Sequence, residues 1–253
     1  MRYDVRRFAT IDSTNRYLLD EARAGAPEGL VAVADHQDAG RGRMNRTWTA
    51  PPGSSLLVSV LLRPAIATER LMLVTMAAGV ALAEAVEHTC GFPVGLKWPN
   101  DLVVDDRKLA GLLSEVDLPV GGERVPAVVV GAGCNVNWEG FPPELEGSAT
   151  ACNLEAGHPV DRDLLLEAYL DRLAAHAAAF DAVPAVYRER LTTVGRSVRV
   201  ELAGGGAVEG VATGVDATGR LVVVDRAGRH HELAAGDVVH LRGGRGSAGR
   251  EPR

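Results

Sequence analysis

The hydrophobic pattern of the first 190 residues switches between short apolar runs and longer segments with helical spacing. Short apolar runs between turn residues predict buried strands, and apolar residues three or four apart predict helices. The predicted strands are residues 3–9, Leu30–Ala34, Leu56–Leu62, Leu102–Val104, Leu109–Val116 and Val125–Gly133. The predicted helices are Asn15–Ala24, Thr68–Cys90, a helix capped by Asp161 that runs to Phe180, and Ala185–Leu191. In Thr68–Cys90 the apolar residues form a stripe about one-third of the helix wide.

From Gly195 the pattern changes to short segments that alternate apolar and polar residues, separated by glycine-rich turns. Such spacing predicts a small, half-exposed β-barrel. The predicted domains are therefore 1–192 and 193–242. Residues 243–253 are rich in glycine and arginine, which predicts a disordered tail.

The composition and charge of the chain argue against several classes of function. The 253-residue chain has a net charge of −6, which argues against a general nucleic-acid-binding surface. Three widely spaced cysteines show no paired metal spacing and indicate reduced thiols in the cytoplasm. The N-terminus has no apolar signal core, and no uninterrupted apolar run reaches the roughly 18 residues of a membrane span. We therefore expect a cytoplasmic protein that binds neither membrane nor nucleic acid.

Four polar clusters stand next to predicted apolar strands, and polar residues at strand ends often converge on one ligand-binding crevice. They are Ser13–Asn15, Gln37–Trp48, Lys97–Lys108 and Gly133–Asn137. The second cluster alternates glycine with arginine at Gly40-Arg41-Gly42-Arg43, which suits a loop that closes over a phosphate or carboxylate. The P-loop, dinucleotide-binding, His-Glu-x-x-His and Gly-x-Ser-x-Gly motifs are all absent.

Each cluster taken alone has a structural alternative. Ser13-Thr14-Asn15 also fits a helix N-cap, and Lys108 also fits an exposed position on one strand face. Asp105-Asp106 is interpreted as a solvated hairpin turn, and His36 as a hydrogen-bonded histidine at a strand end.

The four clusters together resemble biotin–protein ligases. The resemblance rests on Ser13-Thr14-Asn15, the Gly40–Trp48 loop, Lys97-Trp98-Pro99-Asn100-Asp101 with Lys108-Leu109-Ala110-Gly111, and Gly131-Ala132-Gly133-Cys134-Asn135-Val136-Asn137. It implies an α+β fold, with a mixed-sheet catalytic domain flanked by helices and a small SH3-like C-terminal barrel. It also implies formation of biotinyl-5′-AMP from biotin and Mg·ATP, followed by biotin transfer to a lysine of the biotin carboxyl carrier domain of an acyl-CoA carboxylase.

The resemblance also implies roles for individual residues. The catalytic candidates are Lys108, Arg43 and Asp101, with Lys108 on the biotin carboxylate and the α-phosphate, and Asp101 orienting or deprotonating the acceptor amine. The biotin-binding candidates are Ser13, Thr14, Gln37, Gly40, Arg41, Ser59, Lys108 and Gly111. The ATP- and adenylate-binding candidates are Arg41, Arg43, Arg46, Trp48, Asn100, Lys108 and Asn135. No protein ligand is assigned to Mg²⁺.

Two departures and two alternatives qualify this interpretation. The catalytic motifs begin at Ser13, which predicts a monofunctional ligase without the helix-turn-helix domain of biotin repressors. Ser148–Leu154 matches the corresponding family segment only loosely and is assigned no role. The alternatives are a lipoate–protein ligase of the same fold and a non-catalytic biotin-binding regulator. A monomer and a homodimer are both compatible with the sequence.

Overall fold

The computed structural model describes residues 1–118, 126–202 and 205–241. Its first part is built on a seven-stranded sheet in the order β1-β2-β3-β7-β6-β5-β4. The β1–β2 pair is parallel and the other neighbours are antiparallel, so the sheet is mixed, as predicted. The strands are β1 Asp4–Ile11, β2 Leu30–Gln37, β3 Ser55–Leu62, β4 Gly95–Lys97, β5 Asp101–Val104, β6 Arg107–Asp117 and β7 Ala127–Asn135.

Helices cover both faces of this sheet. They are α1 Thr14–Arg23, α2 Met72–Cys90, α3 Cys152–Ala156, α4 Arg162–Ala177 and α5 Val183–Arg190. The side chain of Asp161 caps α4, as predicted, by accepting hydrogen bonds from the backbone N–H groups of Asp163 and Leu164. The predicted turn at Asp105-Asp106 is also confirmed, because both residues adopt positive φ between β5 and β6.

The structure corrects two predicted elements and adds two strands. Helix α2 is preceded by a separate 3₁₀ turn at Thr68–Arg70 and is buried on nearly every side, because α4 and α5 pack on its outer face. The predicted one-third stripe is therefore wrong. Two short strands were not predicted, β4 and, in the C-terminal part, β12 Asp237–His240. Strand β7 continues through Asn135, two residues beyond the predicted end at Gly133, so Cys134 and Asn135 also belong to the strand.

The second part is a five-stranded antiparallel sheet in the order β11-β10-β9-β8-β12, consistent with the predicted SH3-like barrel. Its strands are β8 Ser197–Glu201, β9 Ala207–Val215, β10 Leu221–Val224, β11 His230–Leu233 and β12 Asp237–His240. Trp98 joins the two sheets, because its buried indole N–H donates to the carbonyl oxygen of Gly219 at 3.0 Å. The predicted tail at 243–253 lies outside the described residues.

The segment Thr68–Cys90 is long and apolar enough to cross a membrane, judged on length and composition alone. In the fold, 72% of its most apolar window is buried. Burial of this kind is typical of the central helix of a packed core.

Candidate active site

A cavity of about 350 Å³ opens where one face of the large sheet meets the C-terminal sheet. Eleven of the predicted site residues line it: Ser13, Thr14, Gln37, Arg41, Arg43, Arg46, Trp48, Asn100, Asp101, Lys108 and Gly111. They come from the start of α1, the end of β2 and the loop after it, the start of β5, and β6. The fold therefore brings all four polar clusters of the sequence together around one space, the fourth through Gly133.

One end of the cavity carries a neutral hydrogen-bonding set. Gln37 Oε1 accepts hydrogen bonds from the Thr14 backbone N–H at 2.8 Å and from the Thr14 hydroxyl at 3.0 Å. Beneath them, the buried Ser59 hydroxyl lies 2.7 Å from Thr14 Oγ1 and 2.6 Å from Asn15 Oδ1. Paired donors and acceptors without net charge suit a cyclic urea.

Ser13 begins α1 and lines the cavity at the same time. Its side-chain oxygen accepts a hydrogen bond from the Arg16 backbone N–H at 3.5 Å, as an N-cap does. The helix-cap interpretation of Ser13 is therefore confirmed, and it does not remove Ser13 from the cavity wall.

The other end of the cavity is charged. Lys108 Nζ lies 2.8 Å from Asp101 Oδ1, and the two residues come from the paired strands β6 and β5. The same ammonium stands 5.6 Å from the centroid of the Trp48 ring, within cation–π range. Asp101 and the aromatic face therefore hold the Lys108 cation at the cavity wall.

The Gly40–Trp48 loop forms a closed turn. The Trp48 backbone N–H donates to the Gly40 carbonyl oxygen at 3.0 Å, and the Gly42 N–H donates to the Arg46 carbonyl oxygen at 2.7 Å. At the tip, Met44 and Asn45 both have positive φ, which is uncommon for residues other than glycine. This geometry projects the arginines of the loop toward the cavity that they line.

Arg43 and Arg46 attach the loop to side-chain oxygens of Asn100 and Asp237. Arg43 Nη1 donates to Asn100 Oδ1 at 3.0 Å and lies 3.7 Å from Asp237 Oδ1, and Arg46 forms an ion pair with Asp237. Burial lowers the pKa of the Arg43 guanidinium from its ordinary value, and the negative charge of Asp237 and Asp101 opposes that shift. Arginine remains protonated at neutral pH, so these side chains offer positive charge to an entering anion.

Trp48 covers the floor of the cavity. A Cβ atom on Gly133 would lie 2.7 Å from Trp48 Nε1, and one on Gly111 would lie 3.1 Å from Trp48 Cζ3. The two glycines therefore provide the room for the indole ring. The indole N–H is buried and has no hydrogen-bond partner in the described part of the chain, so it is a donor that a ligand can satisfy.

Three predicted residues do not line the cavity. Ser59 lies beneath Thr14, and Gly40 forms the base of the loop. Asn135 is buried and points away, because its amide donates to the carbonyl oxygen of Thr150 at 3.0 Å. In this structure Asn135 holds the segment after β7 in place.

Sequence reasoning did not single out Glu115 and Asp237. Glu115 Oε1 lies 2.8 Å from Arg41 Nη1, and Asp237 pairs with Arg43 and Arg46. A glutamate that alternates with apolar residues is typical of a solvent-facing strand position. Asp237 lies in the C-terminal sheet, far from the motifs along the chain, so only the docking of the two sheets identifies it.

Gly131 provides a direct test of the cavity geometry. We expect Gly131→Ala to cost about 1–3 kcal/mol of stability and to weaken biotin binding at least about tenfold. The added Cβ would collide with Asn15 Oδ1, and Asn15 is held by hydrogen bonds to Ser59 and to the Leu113 carbonyl oxygen. Thermal unfolding and calorimetric titration with biotin measure the two effects.

Gly140→Ala is the matched control, because among the described residues, its two chain neighbours apart, no heavy atom lies within 4 Å of a Cβ added there. It should unfold and bind like the wild type. A Gly131→Ala protein with unchanged biotin affinity would show that Asn15 does not hold the position described here.

Comparison with known proteins identifies the family of the chain. The model of the biotin/lipoate A/B protein ligase family matches residues 7–135, and that of the biotin protein ligase C-terminal domain matches residues 193–241. The chain therefore belongs to the biotin/lipoate A/B protein ligase family and has the C-terminal domain of its biotin protein ligases.

Individual relatives show which members of this family the chain resembles. The chain is 39% identical to the biotin–[acetyl-CoA-carboxylase] ligase of Mycobacterium tuberculosis, over 92% of this chain and 88% of that protein. It is 32% identical to the bifunctional ligase/repressor BirA of Escherichia coli, over 84% of this chain and 67% of the relative. A biotin protein ligase from Aquifex aeolicus, solved with biotin and ATP, has the same fold, with a TM-score of 0.81 at 24% identity over 94% of this chain and 99% of that one.

Proposed function

We propose that this protein is an ATP-dependent ligase that activates biotin as biotinyl-5′-AMP and transfers it to one lysine of a biotin carboxyl carrier domain of an acyl-CoA carboxylase. The observation that carries the proposal is the division of one cavity into a neutral end at Thr14 and Gln37 and a cationic end at Lys108. Biotin has the matching polarity, with a neutral ureido ring at one end and a carboxylate at the other.

In the first step, a biotin carboxylate oxygen attacks the α-phosphorus of ATP, and the bond to pyrophosphate breaks. Two anions meet in this step, so positive charge is needed to reduce their repulsion and to stabilise the phosphoryl oxygens. Lys108 supplies that charge from the cavity wall, and Arg43 and Arg46 supply it from the loop once a polyphosphate replaces Asp237 as their partner. Asn100 orients Arg43, because both ends of its amide are bonded.

In the second step, the neutral amine of the acceptor lysine attacks the carbonyl carbon of biotinyl-AMP. An amide bond forms, the bond between the carbonyl carbon and the bridging oxygen breaks, AMP leaves with that oxygen and the bonding electrons, and the amine loses a proton. Asp101 lies at the cavity wall, next to Lys108, where a carboxylate can orient the amine or accept its proton.

Magnesium enters this proposal as the Mg·ATP complex. Within the described ranges, no group of three or more histidine, cysteine or acidic side chains is placed to hold a metal ion. Mg²⁺ commonly keeps its waters and binds through substrate phosphates with one or two protein oxygens. Asn100, Asp101 and Asp237 each bring side-chain oxygens to the cationic end.

The remaining partner assignments are proposals of the same kind. The net charge of −6 supports a protein that does not bind nucleic acid, and the burial of α2 supports one that does not bind membrane. We further propose a cytoplasmic location and either a monomer or a homodimer.

Pyrophosphate exchange tests the first step and separates biotin from lipoate. We expect biotin, and not lipoate, to drive incorporation of labelled pyrophosphate into ATP. Exchange with lipoate alone would favour the lipoate–protein ligase. Binding of biotin without exchange would favour a non-catalytic regulator.

Streptavidin detection after incubation with biotin, Mg·ATP and a purified carrier domain tests the second step. The sequence contains only two lysines, Lys97 and Lys108, and both line the cavity. The remaining residues of the lysine and arginine count are arginines, which stay protonated and therefore do not attack an acyl-adenylate. We therefore expect label on the carrier domain and very little on the ligase.

A further inference from the structure

Glu115 connects the arginine loop to the interior of the protein. One carboxylate oxygen, Oε1, lies 2.8 Å from Arg41 Nη1, and the other, Oε2, accepts a hydrogen bond from Asn15 Nδ2 at 3.0 Å. The Glu115 side chain is only 20% exposed, whereas that of Arg41 is 51% exposed. Glu115 is therefore the more buried partner of this pair, and Arg41 the more exposed one.

The strand register explains why Glu115 reaches both partners. On β6, Gly111, Leu113 and Glu115 point to the same face of the sheet, because side chains alternate along a strand. Gly111 and Leu113 line the cavity, and Glu115 lies one step beyond its edge. Glu115 is thus placed to act on a ligand only through other residues.

The contacts of Glu115 continue to the neutral end of the cavity. Asn15, which donates to Glu115, has its Oδ1 2.6 Å from the Ser59 hydroxyl. Ser59 contacts Thr14, and Thr14 contacts Gln37. A continuous series of hydrogen-bond contacts therefore runs from Gln37, through buried side chains, to Arg41 on the loop.

Between Gln37 and Asn15, this series has fewer hydrogen-bond donors than contacts. Three contacts link Gln37 Oε1, Thr14 Oγ1, Ser59 Oγ and Asn15 Oδ1, but only the hydroxyls of Thr14 and Ser59 can donate in them. A ligand that donates to Gln37 Oε1 frees the Thr14 hydroxyl to donate to Ser59, so the Ser59 hydroxyl can donate to Asn15 alone. Asn15, and through it Glu115, is then held more firmly.

We propose that Glu115 is a positioning residue, which docks Arg41 and the loop over the biotin end of the cavity. The proposal rests on the proposed function, since it takes biotin as the ligand of the neutral end. Without Glu115, the loop keeps Arg43 and Arg46 on the C-terminal sheet but loses its attachment near the neutral end. Biotin and biotinyl-AMP should then escape faster, while the reacting groups stay in place.

The test compares Glu115→Ala with Asp117→Ala in pyrophosphate exchange. Asp117 is the matched control, because it lies two residues along β6 on the same face and pairs with an arginine outside the cavity, Arg23, at 3.3 Å. For Glu115→Ala we expect the KM for biotin and the release rate of biotinyl-AMP to rise about five- to tenfold, with kcat within about twofold of wild type. Asp117→Ala should match the wild type in all three quantities.

A double-mutant cycle with Arg41→Ala decides whether Glu115 acts through Arg41. If it does, adding Glu115→Ala to Arg41→Ala should leave the KM for biotin unchanged. The proposal would be overturned if the effects of the two substitutions on the KM for biotin multiplied in the double variant. It would also be overturned if Glu115→Ala lowered kcat at constant KM, or if Glu115→Ala and Asp117→Ala behaved alike. Biotin-dependent exchange by the wild type is measured first, so a failure of the proposed function is recognised separately.

Discussion

Lys108→Ala should reduce the rate of biotinyl-AMP formation about 10²- to 10³-fold while leaving the fold intact. Removing one preorganised donor from a developing oxyanion typically costs this much. Lys108 is the lysine paired with Asp101, and its ammonium is fixed by that carboxylate at 2.8 Å and by the Trp48 ring. The loop arginines do not replace it, because Arg43 and Arg46 approach the phosphates from the loop beside Asn100 and Asp237, whereas Lys108 stands on β6 beside Asp101.

Single-turnover formation of biotinyl-AMP measures this effect without interference from product release. Arg107→Ala is the matched control, since Arg107 is the preceding residue of the same strand and pairs with Glu155, at 3.1 Å, outside the cavity. The Arg107→Ala substitution removes a cation from β6, and the variant should keep nearly full activity. A Lys108→Ala enzyme that forms the adenylate as fast as Arg107→Ala would exclude Lys108 from the adenylation step.

The parts of the site that follow strand ends were predictable from the sequence. Ser13, Gln37, Asn100 and Lys108 stand beside apolar runs, and these runs form one sheet that brings their polar neighbours together. The roles of these residues, by contrast, came from the resemblance to a family and stay predictions.

Other features depend on tertiary contacts that no local pattern contains. Asp237 reaches the loop because the C-terminal sheet docks beside the cavity. Helix α2 is buried on nearly all sides because α4 and α5 cover the face that its pattern marks as outward. Gly131 and Gly133 suggested the end of a strand, but they lie inside β7, where Asn15 and Trp48 occupy the space that side chains would fill.

Asp101→Asn should slow biotin transfer from pre-formed biotinyl-AMP about a hundredfold at neutral pH, the range expected for loss of a general base. Asparagine keeps an oxygen that can accept a hydrogen bond from Lys108, so the cavity wall is preserved, but the amide neither attracts a cation strongly nor takes a proton. We expect adenylation to change by less than about tenfold, because Lys108 remains. Transfer is measured with a purified carrier domain and isolated biotinyl-AMP.

The pH dependence of transfer shows whether the missing group is a base. A lysine amine has an ordinary pKa of about 10.4, so its neutral fraction rises about a hundredfold between pH 7 and pH 9. If Asp101 deprotonates the acceptor, the Asp101→Asn enzyme should recover most of its loss over that interval, while the wild type changes less. A constant ratio of the two rates would instead indicate that Asp101 only orients the amine, and full transfer by Asp101→Asn at pH 7 would remove it from the second step. The carboxylate has access to the amine because Asp101 stands at the cavity wall with its side chain 25% exposed.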